Sequence, residues 1–477
     1  MTAPRRDRVL WSILALAVLL RTAVACWPVL DHADELWQYL EPAHHLSAGP
    51  WVQTWEARAG ARSWLLPMLF AGPMAIGHAA APATLLDLIL PRLVCVLIAL
   101  GAVLGATRLG WRLSRLHGLV AAFVAAIWYE LVYFGPRTMS EPIATACFLA
   151  AAGLLLTERD ARRTIAGGVL LGLCCVVRFH YGPAALVLAI AAARLDWRAW
   201  RLLAAGGGVA LGASALADLA AGATPFLWIV RNVTLNLVAD RSADYGVSPA
   251  WWYLKALFDL WGWAGIPIVA AALVGARRYP ALLIAALVNL AVHSLVPHKE
   301  YRFILLTTTL FVTLGAIGSV DLLLRFAGRG RARVALLGAA WLLLSAGCGA
   351  LGSSAHTWGN NGRLIAAWRL AGRIQAACGV GIYRPARPLV ASYTLLARNI
   401  PIYQYDEPDA AAARQSRAFN LVFSPWEHRG AFSGYRLVGC GDRRKRDACV
   451  FERSGPCIES ALDAPFEVNT VLKRKAL

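Results

Sequence analysis

The feature that most constrains this chain is a series of apolar stretches of roughly 17 to 22 residues, each long enough to cross a bilayer as a helix. They fall at about 10–30, 91–108, 118–134, 141–157, 164–179, 181–195, 201–221, 251–275, 280–297, 303–325 and 334–352. Composition agrees. Of 477 residues 58% are hydrophobic and 16% charged, with mean hydropathy +0.53, whereas soluble domains carry about a quarter charged residues. Arg5, Arg6 and Arg8 precede the first stretch. That stretch exceeds a signal-peptide core, and Trp27-Pro28 is a poor cleavage context, so it reads as an uncleaved first span with a cytoplasmic N-terminus.

Positive charge in short loops marks the cytoplasmic side. With the N-terminus inside and the spans alternating, the inner loops hold Arg108, Arg112 and Arg115; Arg159, Arg162 and Arg163; Arg194, Arg198 and Arg201; Arg277 and Arg278; and Arg325, Arg329, Arg331 and Arg333. Counting the apolar segment 63–80 as a crossing would invert every later loop. It is therefore expected to be a juxtamembrane or re-entrant helix, broken by Pro67, Gly72 and Pro73. About eleven spans result. The net charge of +19 is thereby explained by topology, and without a basic helix interleaved with aromatics nucleic-acid binding is excluded.

The domain organisation expected is a membrane part, residues 1–355 including the first outer loop at 31–80, and an outer domain at 356–477. The tail gains polar residues, proline and glycine and holds Cys378, Cys440, Cys449 and Cys457. In an oxidising compartment these suggest two disulfides, with Cys440–Cys449 the easiest to close. Pro388–Tyr393 and Phe419–Phe423 read as strands, which makes the tail a small α/β domain. Cys26, Cys95, Cys147, Cys174, Cys175 and Cys348 lie in spans as packing residues. The sequence shows no Cys-x-x-Cys and no helical histidine pair, so no metal and no cofactor is expected.

Charged residues on the outer face run against the topological bias and need another reason. Asp34 and Glu35 are adjacent at the mouth of the first outer loop, with Glu41, Glu56, Arg58 and Arg62 following. Ionisable groups at membrane depth are functional candidates, although an acidic turn capping a loop helix gives the same pattern. Arg137 and Glu141 follow in Pro136–Pro142, then Arg178 and His180. The loop 222–250 holds Arg231, Arg241, Asp244 and Tyr245 and runs into Trp251-Trp252-Tyr253. Last comes His298-Lys299-Glu300-Tyr301-Arg302. All five places are expected at one membrane surface, where they can converge on one cavity. A carboxylate there can take a proton from a hydroxyl. Cations can hold a phosphate leaving group. Structural alternatives stand beside these. Arg137 and Glu141 can pair four residues apart, Arg178 and His180 can clamp a turn, and the aromatic trio can be an interfacial belt. Lys299 and Arg302 can snorkel at a helix end. Arg21, Glu130, Asp218 and Asp259 are possible buried partners that sequence cannot pair.

These motifs resemble a known family. The run HADELWQYLEPAHHL followed by TWEARAGARSWLLP is similar to the "HPDE…Q…E…H" and "TWEW…RS…P" signature of glycosyltransferase family 22, the polyprenyl-phosphate-mannose-dependent α-mannosyltransferases of glycosylphosphatidylinositol and N-glycan assembly. PRTMSEP resembles its "RT.S…E" turn, DYGVSPAWWYL its "YGTHPWHWY" loop, HKEYRFIL its "HKEFRF" motif, and SYTLL a relic of its tail motif. The likeness is strongest over 31–310 and closest to third-mannose glycosylphosphatidylinositol enzymes. The compact, arginine-rich chain suggests a bacterial member. One departure is Ala33, where the family has proline.

The resemblance implies the all-α GT-C membrane fold with a C-terminal outer domain. It also implies metal-independent, inverting transfer of mannose from a polyprenyl phosphate to a lipid-linked or membrane glycan acceptor, at the periplasmic face of a bacterial inner membrane. Asp34 matches the expected base, with Glu35 as understudy. His298, Lys299 and Arg302 match the motif expected near the donor phosphate, with help from Arg178. Glu56, Arg62, Arg137, Glu141, His180, Asp244 and Tyr245 are expected to bind substrate. Transfer of another sugar, such as glucose or an aminoarabinose, remains an alternative. A transporter or flippase would place charges near the midplane and show an internal repeat, and neither is found.

Overall fold

The computed structural model describes residues 7–157, 160–384, 391–442 and 444–475. Arg5, Arg6 and Arg159 and the expected strand residues Pro388–Val390 lie outside these. The chain divides into two compact units, one of residues 1–25 and 92–358 and one of residues 26–91 and 359–477.

The first unit is helical. Among the described residues six helical segments are long and apolar enough to cross a membrane, at Arg8–Ala25, Leu86–Leu113, Trp197–Ala220, Trp252–Ala276, Tyr301–Phe326 and Arg331–Leu351. Each remaining expected span also meets a helix, at Arg115–Ile127 with Tyr129–Phe134, Ser140–Leu155, Ala161–Val177, Gly182–Ala193 and Pro280–Leu295. The protein is a multi-pass membrane protein. Helix Leu305–Phe326 is buried along most of its length, as expected of a helix apolar on every side. Its buried threonines bond locally: Thr308 donates to Leu305 O at 3.1 Å and Thr313 to Thr309 O at 2.8 Å.

The expected span 118–134 is two helices broken at Trp128, whose ψ of 123° is not helical. A break in a membrane segment frees carbonyls that need donors. Arg21, fully buried, donates to Ala125 O at 2.8 Å and Ala126 O at 3.0 Å. Ser345 donates to Ile127 O and accepts the Tyr129 amide, both at 2.9 Å. Arg21 thus pairs with a helix end rather than with an acid.

Small residues let helix backbones approach closely. Gly275 and Gly318 face one another across the contact between Gly265–Ala276 and Leu305–Phe326; a Cβ on Gly318 would strike the Ala271 carbonyl, and one on Gly275 the Leu314 carbonyl.

The second unit carries a five-stranded sheet in the order β2-β1-β3-β5-β4. Its strands are β1 (Val380–Tyr383), β2 (Ile402–Tyr405), β3 (Leu421–Ser424), β4 (Arg436–Cys440) and β5 (Cys449–Glu452). β1 pairs in parallel with β2 and β3, and β5 runs antiparallel to β3 and β4. Cys440 faces Cys449 in register and is bonded to it; Cys378 is bonded to Cys457. Tyr393, expected at the end of a strand, instead opens a helical turn, Tyr393–Leu396. Ser392 caps it by accepting the Leu395 amide at 2.9 Å, a local bond that competes with strand pairing.

Residues 31–80, expected with the membrane helices, fold with the C-terminal residues instead. Fully buried Glu41 accepts the Val52 amide at 2.9 Å, the Thr394 amide at 2.8 Å and the Ser392 hydroxyl at 2.6 Å. Trp37 Nε1 donates to Ala391 O at 3.1 Å, and Asp87 pairs with Arg369 at 2.6 Å. The apolar segment 63–80 is one helix, Leu65–Ala80, not a broken one. Pro67 lies in its first turn, where an amide has no helical partner to lose, and Pro73 removes a single bond.

Gly318→Val should destabilise the protein by about 1–3 kcal/mol through overpacking, seen as a lower melting temperature in detergent. Gly208→Ala, where a Cβ meets nothing within 4 Å, should leave that temperature unchanged or slightly higher.

Candidate functional site

In the first unit an ion network joins residues far apart in sequence. Met139 is extended, and helix Ser140–Leu155 starts immediately after it, so Glu141 sits in the first turn with its carboxylate buried. Arg178 Nη1 lies 3.0 Å from that carboxylate and Arg302 Nη1 3.2 Å. Arg178 occupies the break between helix Ala161–Val177 and the turn Phe179–Tyr181, and also donates to Ser140 Oγ at 3.2 Å. Arg302, in the turn Tyr301–Ile304, donates through Nε to Glu300 at 2.6 Å. Both guanidiniums flank the Phe303 ring, at 4.7 and 5.3 Å from its centre. Arg178 Nε is buried and has no hydrogen-bond partner among the described residues. A buried donor of this kind can serve an anionic oxygen.

Around this centre the structure brings together the loops of residues 245–248 and 296–302. His298 bonds Glu300 at 3.0 Å and approaches Gly246 O at 3.3 Å, while Tyr245 lies 6.0 Å from its ring. The Glu300 hydrogen bond holds the His298 pKa above its ordinary 6.5, against the opposing effect of burial. Lys299 is only 7% exposed and donates to Ser248 O at 3.0 Å and Val296 O at 2.6 Å; burial lowers its pKa. Its ammonium is thus bonded to carbonyls that bind the two loops together.

Other expected residues of this unit have different surroundings. His180 stacks on Phe179 at 3.9 Å, and buried Arg137 lies over the Tyr133 ring at 4.5 Å. Asp244 is mostly exposed, 4.0 Å from Arg241. Sequence reasoning missed Glu300 as the bridge between His298 and Arg302, because its motif was read for cations. It also left Glu130 without a partner. Glu130 accepts Trp128 Nε1 at 2.7 Å and the Tyr301 hydroxyl, so it supports the turn that carries Arg302.

In the second unit the adjacent acids separate by burial. Asp34 keeps a side chain 23% exposed, 3.3 Å from His32 Nδ1. Glu35 is fully buried and accepts the Asp31 amide at 2.7 Å. A π-helical turn, Glu35–Leu40, follows directly; such widened turns recur at functional sites. Glu56 accepts Arg62 Nη2 at 2.6 Å and Gln38 Nε2 at 2.7 Å. Burial works against the Arg62 charge, but Glu56, Tyr39 and Asp34 together hold its pKa above the ordinary value.

A model of the Alg9-like mannosyltransferase family matches residues 11–358. The chain is 28% identical over 309 residues to GPI mannosyltransferase 3 of Drosophila melanogaster, covering 60% of this chain and 52% of that protein. It is 31% identical over 290 residues to GPI mannosyltransferase 3 of Yarrowia lipolytica, covering 57% and 54%. It thus spans about half the length of these curated relatives. Among solved structures, ArnT from Cupriavidus metallidurans bound to undecaprenyl phosphate superposes with a TM-score of 0.56 at 13% identity, over 96% of this chain and 99% of that one. The oligosaccharyltransferase of Archaeoglobus fulgidus, tethered to an acceptor peptide, gives 0.50 at 12% identity, over 98% and 77%.

Glu141→Ala, which leaves two buried guanidiniums without their shared carboxylate, should cost about 3–5 kcal/mol, measured by thermal unfolding in detergent. For His298 the pKa is raised in the folded state, so its stabilising contribution is complete below pH 6.5 and is lost as the pH rises through the raised value. The melting-temperature gap between the native protein and His298→Gln should therefore be widest below that pH and close on the alkaline side.

Proposed function

Because the chain belongs to the Alg9-like mannosyltransferase family and has the GT-C fold, we propose that it transfers a mannosyl residue from a polyprenyl phosphate to a lipid-linked or membrane glycan acceptor. The observation that carries this reading is the pair of buried guanidiniums, Arg178 and Arg302, sharing Glu141. A polyprenyl phosphate leaves with its full charge, and fixed cations stabilise that charge as it develops. Arg178 brings an uncommitted Nε; His298 adds a cation when protonated. Lys299 organises the loops around them. An ArnT structure bound to undecaprenyl phosphate belongs to the same fold, and the same class of carrier is proposed for this chain.

In the reaction proposed, Asp34 takes the proton of the acceptor hydroxyl. The hydroxyl oxygen attacks the anomeric carbon, the bond from that carbon to the phosphate oxygen breaks, and the carrier leaves as polyprenyl phosphate with inversion. Asp34 suits this role better than Glu35, because it retains access to solvent and Glu35 does not. Glu56, Arg62, Arg137, Glu141, His180, Asp244 and Tyr245 remain in the proposal as residues that bind or shape the substrate sites. The arginine clusters in alternate loops support chemistry at the membrane face opposite them, which this proposal takes as the periplasmic face of a bacterial inner membrane.

Purified protein incubated with radiolabelled polyprenyl-phosphate-mannose and a membrane lipid extract should yield a labelled product. Asp34→Asn should lower the rate by about 10²–10⁴-fold while carrier binding persists. Full transfer by that variant would remove Asp34 from its role. Loss of transfer in chelator, restored by manganese, would overturn the metal-free mechanism.

A further inference from the structure

Beside β2, the edge strand of the sheet, the second unit holds an open cavity of about 540 Å³ that the proposed chemistry does not use. That volume lies within the roughly 300–1,000 Å³ of small-molecule sites. Tyr403 of β2, Tyr393 and the segment from Glu459 to Thr470 contribute its walls. The segment is fixed at both ends. Cys457, just ahead of it, is bonded to Cys378, and Glu467 pairs with Tyr403 through an isolated antiparallel bridge. Asn469 accepts the Gln53 amide at 2.7 Å and donates to Trp51 O at 3.2 Å, which ties the loop carrying the lining residue Pro50 to the same wall.

The lining is acidic in a basic chain. The protein has 47 lysines and arginines against 28 acids, yet Glu459, Asp463 and Glu467 line this cavity and no lysine, arginine or histidine does. The three carboxylates take neutral donors. Glu459 accepts the Tyr403 hydroxyl at 2.8 Å, and Glu467 accepts the Thr470 amide at 3.0 Å. Asp463, only 6% exposed, accepts Ser416 Oγ at 2.6 Å and Ser460 Oγ at 3.0 Å. None of the three forms an ion pair among the described residues. Buried charges are ordinarily paired, and Asp463 is not. The field of these acids reaches the phenols. Burial raises the Tyr403 pKa, and the hydrogen bond to Glu459 and the charges of Glu459 and Asp463 raise it further. Local turn capping accounts for the donors named but supplies no full positive charge.

We infer that this cavity binds a linear polyamine, its ammonium groups on Glu459, Asp463 and Glu467 and its methylenes on Ile400, Pro401 and Ala464. An ammonium carries three donors and no acceptor, which suits oxygens that hydroxyls and amides occupy only in part. Among the described residues no three acidic or other metal-ligating side chains stand close enough to share a metal ion. One compact cation therefore cannot balance all three acids. A molecule with several ammonium groups spaced by methylenes can, and its apolar chain has a use for Ile400, Pro401 and Ala464 that a hydrated inorganic ion lacks. This site goes beyond the transferase reading and does not depend on it.

Equilibrium dialysis of the full-length protein in detergent against radiolabelled spermidine tests the assignment. Spermidine should bind saturably, and ethanolamine or magnesium at equal concentration should displace little of it. Glu459→Gln should weaken binding about fivefold, and Asp463→Asn about tenfold or more. Ala464→Phe, which fills the space and leaves every charge in place, should abolish it. Glu459 and Ala464 are exposed, so their variants should keep the melting temperature of the native protein measured without spermidine. Binding that survives Ala464→Phe in a folded protein overturns the cavity, because the attraction would then be to the acidic surface at large. Displacement by ethanolamine or magnesium at equal concentration overturns the polyamine, and absence of saturable binding overturns both. Saturable binding that both variants weaken supports the site whatever the transfer assay returns, so the two readings stand or fall separately.

Discussion

Inside a bilayer an unpaired amide, carbonyl or charge has no water to turn to, and each costs several kcal/mol. The helical unit follows from that constraint. Its helices satisfy their own backbones, and where one breaks, at Trp128, Arg21 and Ser345 take up the freed carbonyls and amide. Buried threonines bond to carbonyls within their own helix. Arg178 and Arg302 meet a carboxylate, Glu141. The same rule makes the site. Arg178 and Arg302 are held in the helical unit by the carboxylate they share, Glu141, and Arg302 also by Glu300.

The acids of residues 34–56 show how burial divides similar residues. Glu35 and Glu41 are fully enclosed and take amide or hydroxyl donors, so they hold the loop together. Asp34 is one residue from Glu35 and keeps solvent access. Glu56 is engaged by Gln38 and Arg62 at the edge of an open pocket. Identical functional groups thus differ in burial and in partners according to what surrounds them.

Much of the fold was legible. Apolar length is a local property, and every expected span coincides with helix, six of the segments being long enough to cross a membrane among the described residues and 118–134 being broken in two. The tail cysteines stood out against a polar background, and Cys440–Cys449, expected as the easiest pair to close, forms where the sheet sets the two opposite one another. Errors arose where a local signal competed with a contact distant in sequence. Ser392 turned an apolar run into a capped helical turn, and Glu41 drew the first loop to the C-terminal residues rather than to the helices. Glu300 was overlooked among cations, although it is what orients Arg302 and His298.

The amino-acid sequence alone determined the class of molecule, the positions of its apolar helices and the set of charged residues between them, since each depends on composition over a short window. Only the tertiary structure decided which of those charges are buried against a partner and which keep access to solvent. Pairing within 4 Å depends on residues separated by tens to hundreds of positions, as Glu141 is from Arg178 and Arg302, and no local pattern encodes that meeting.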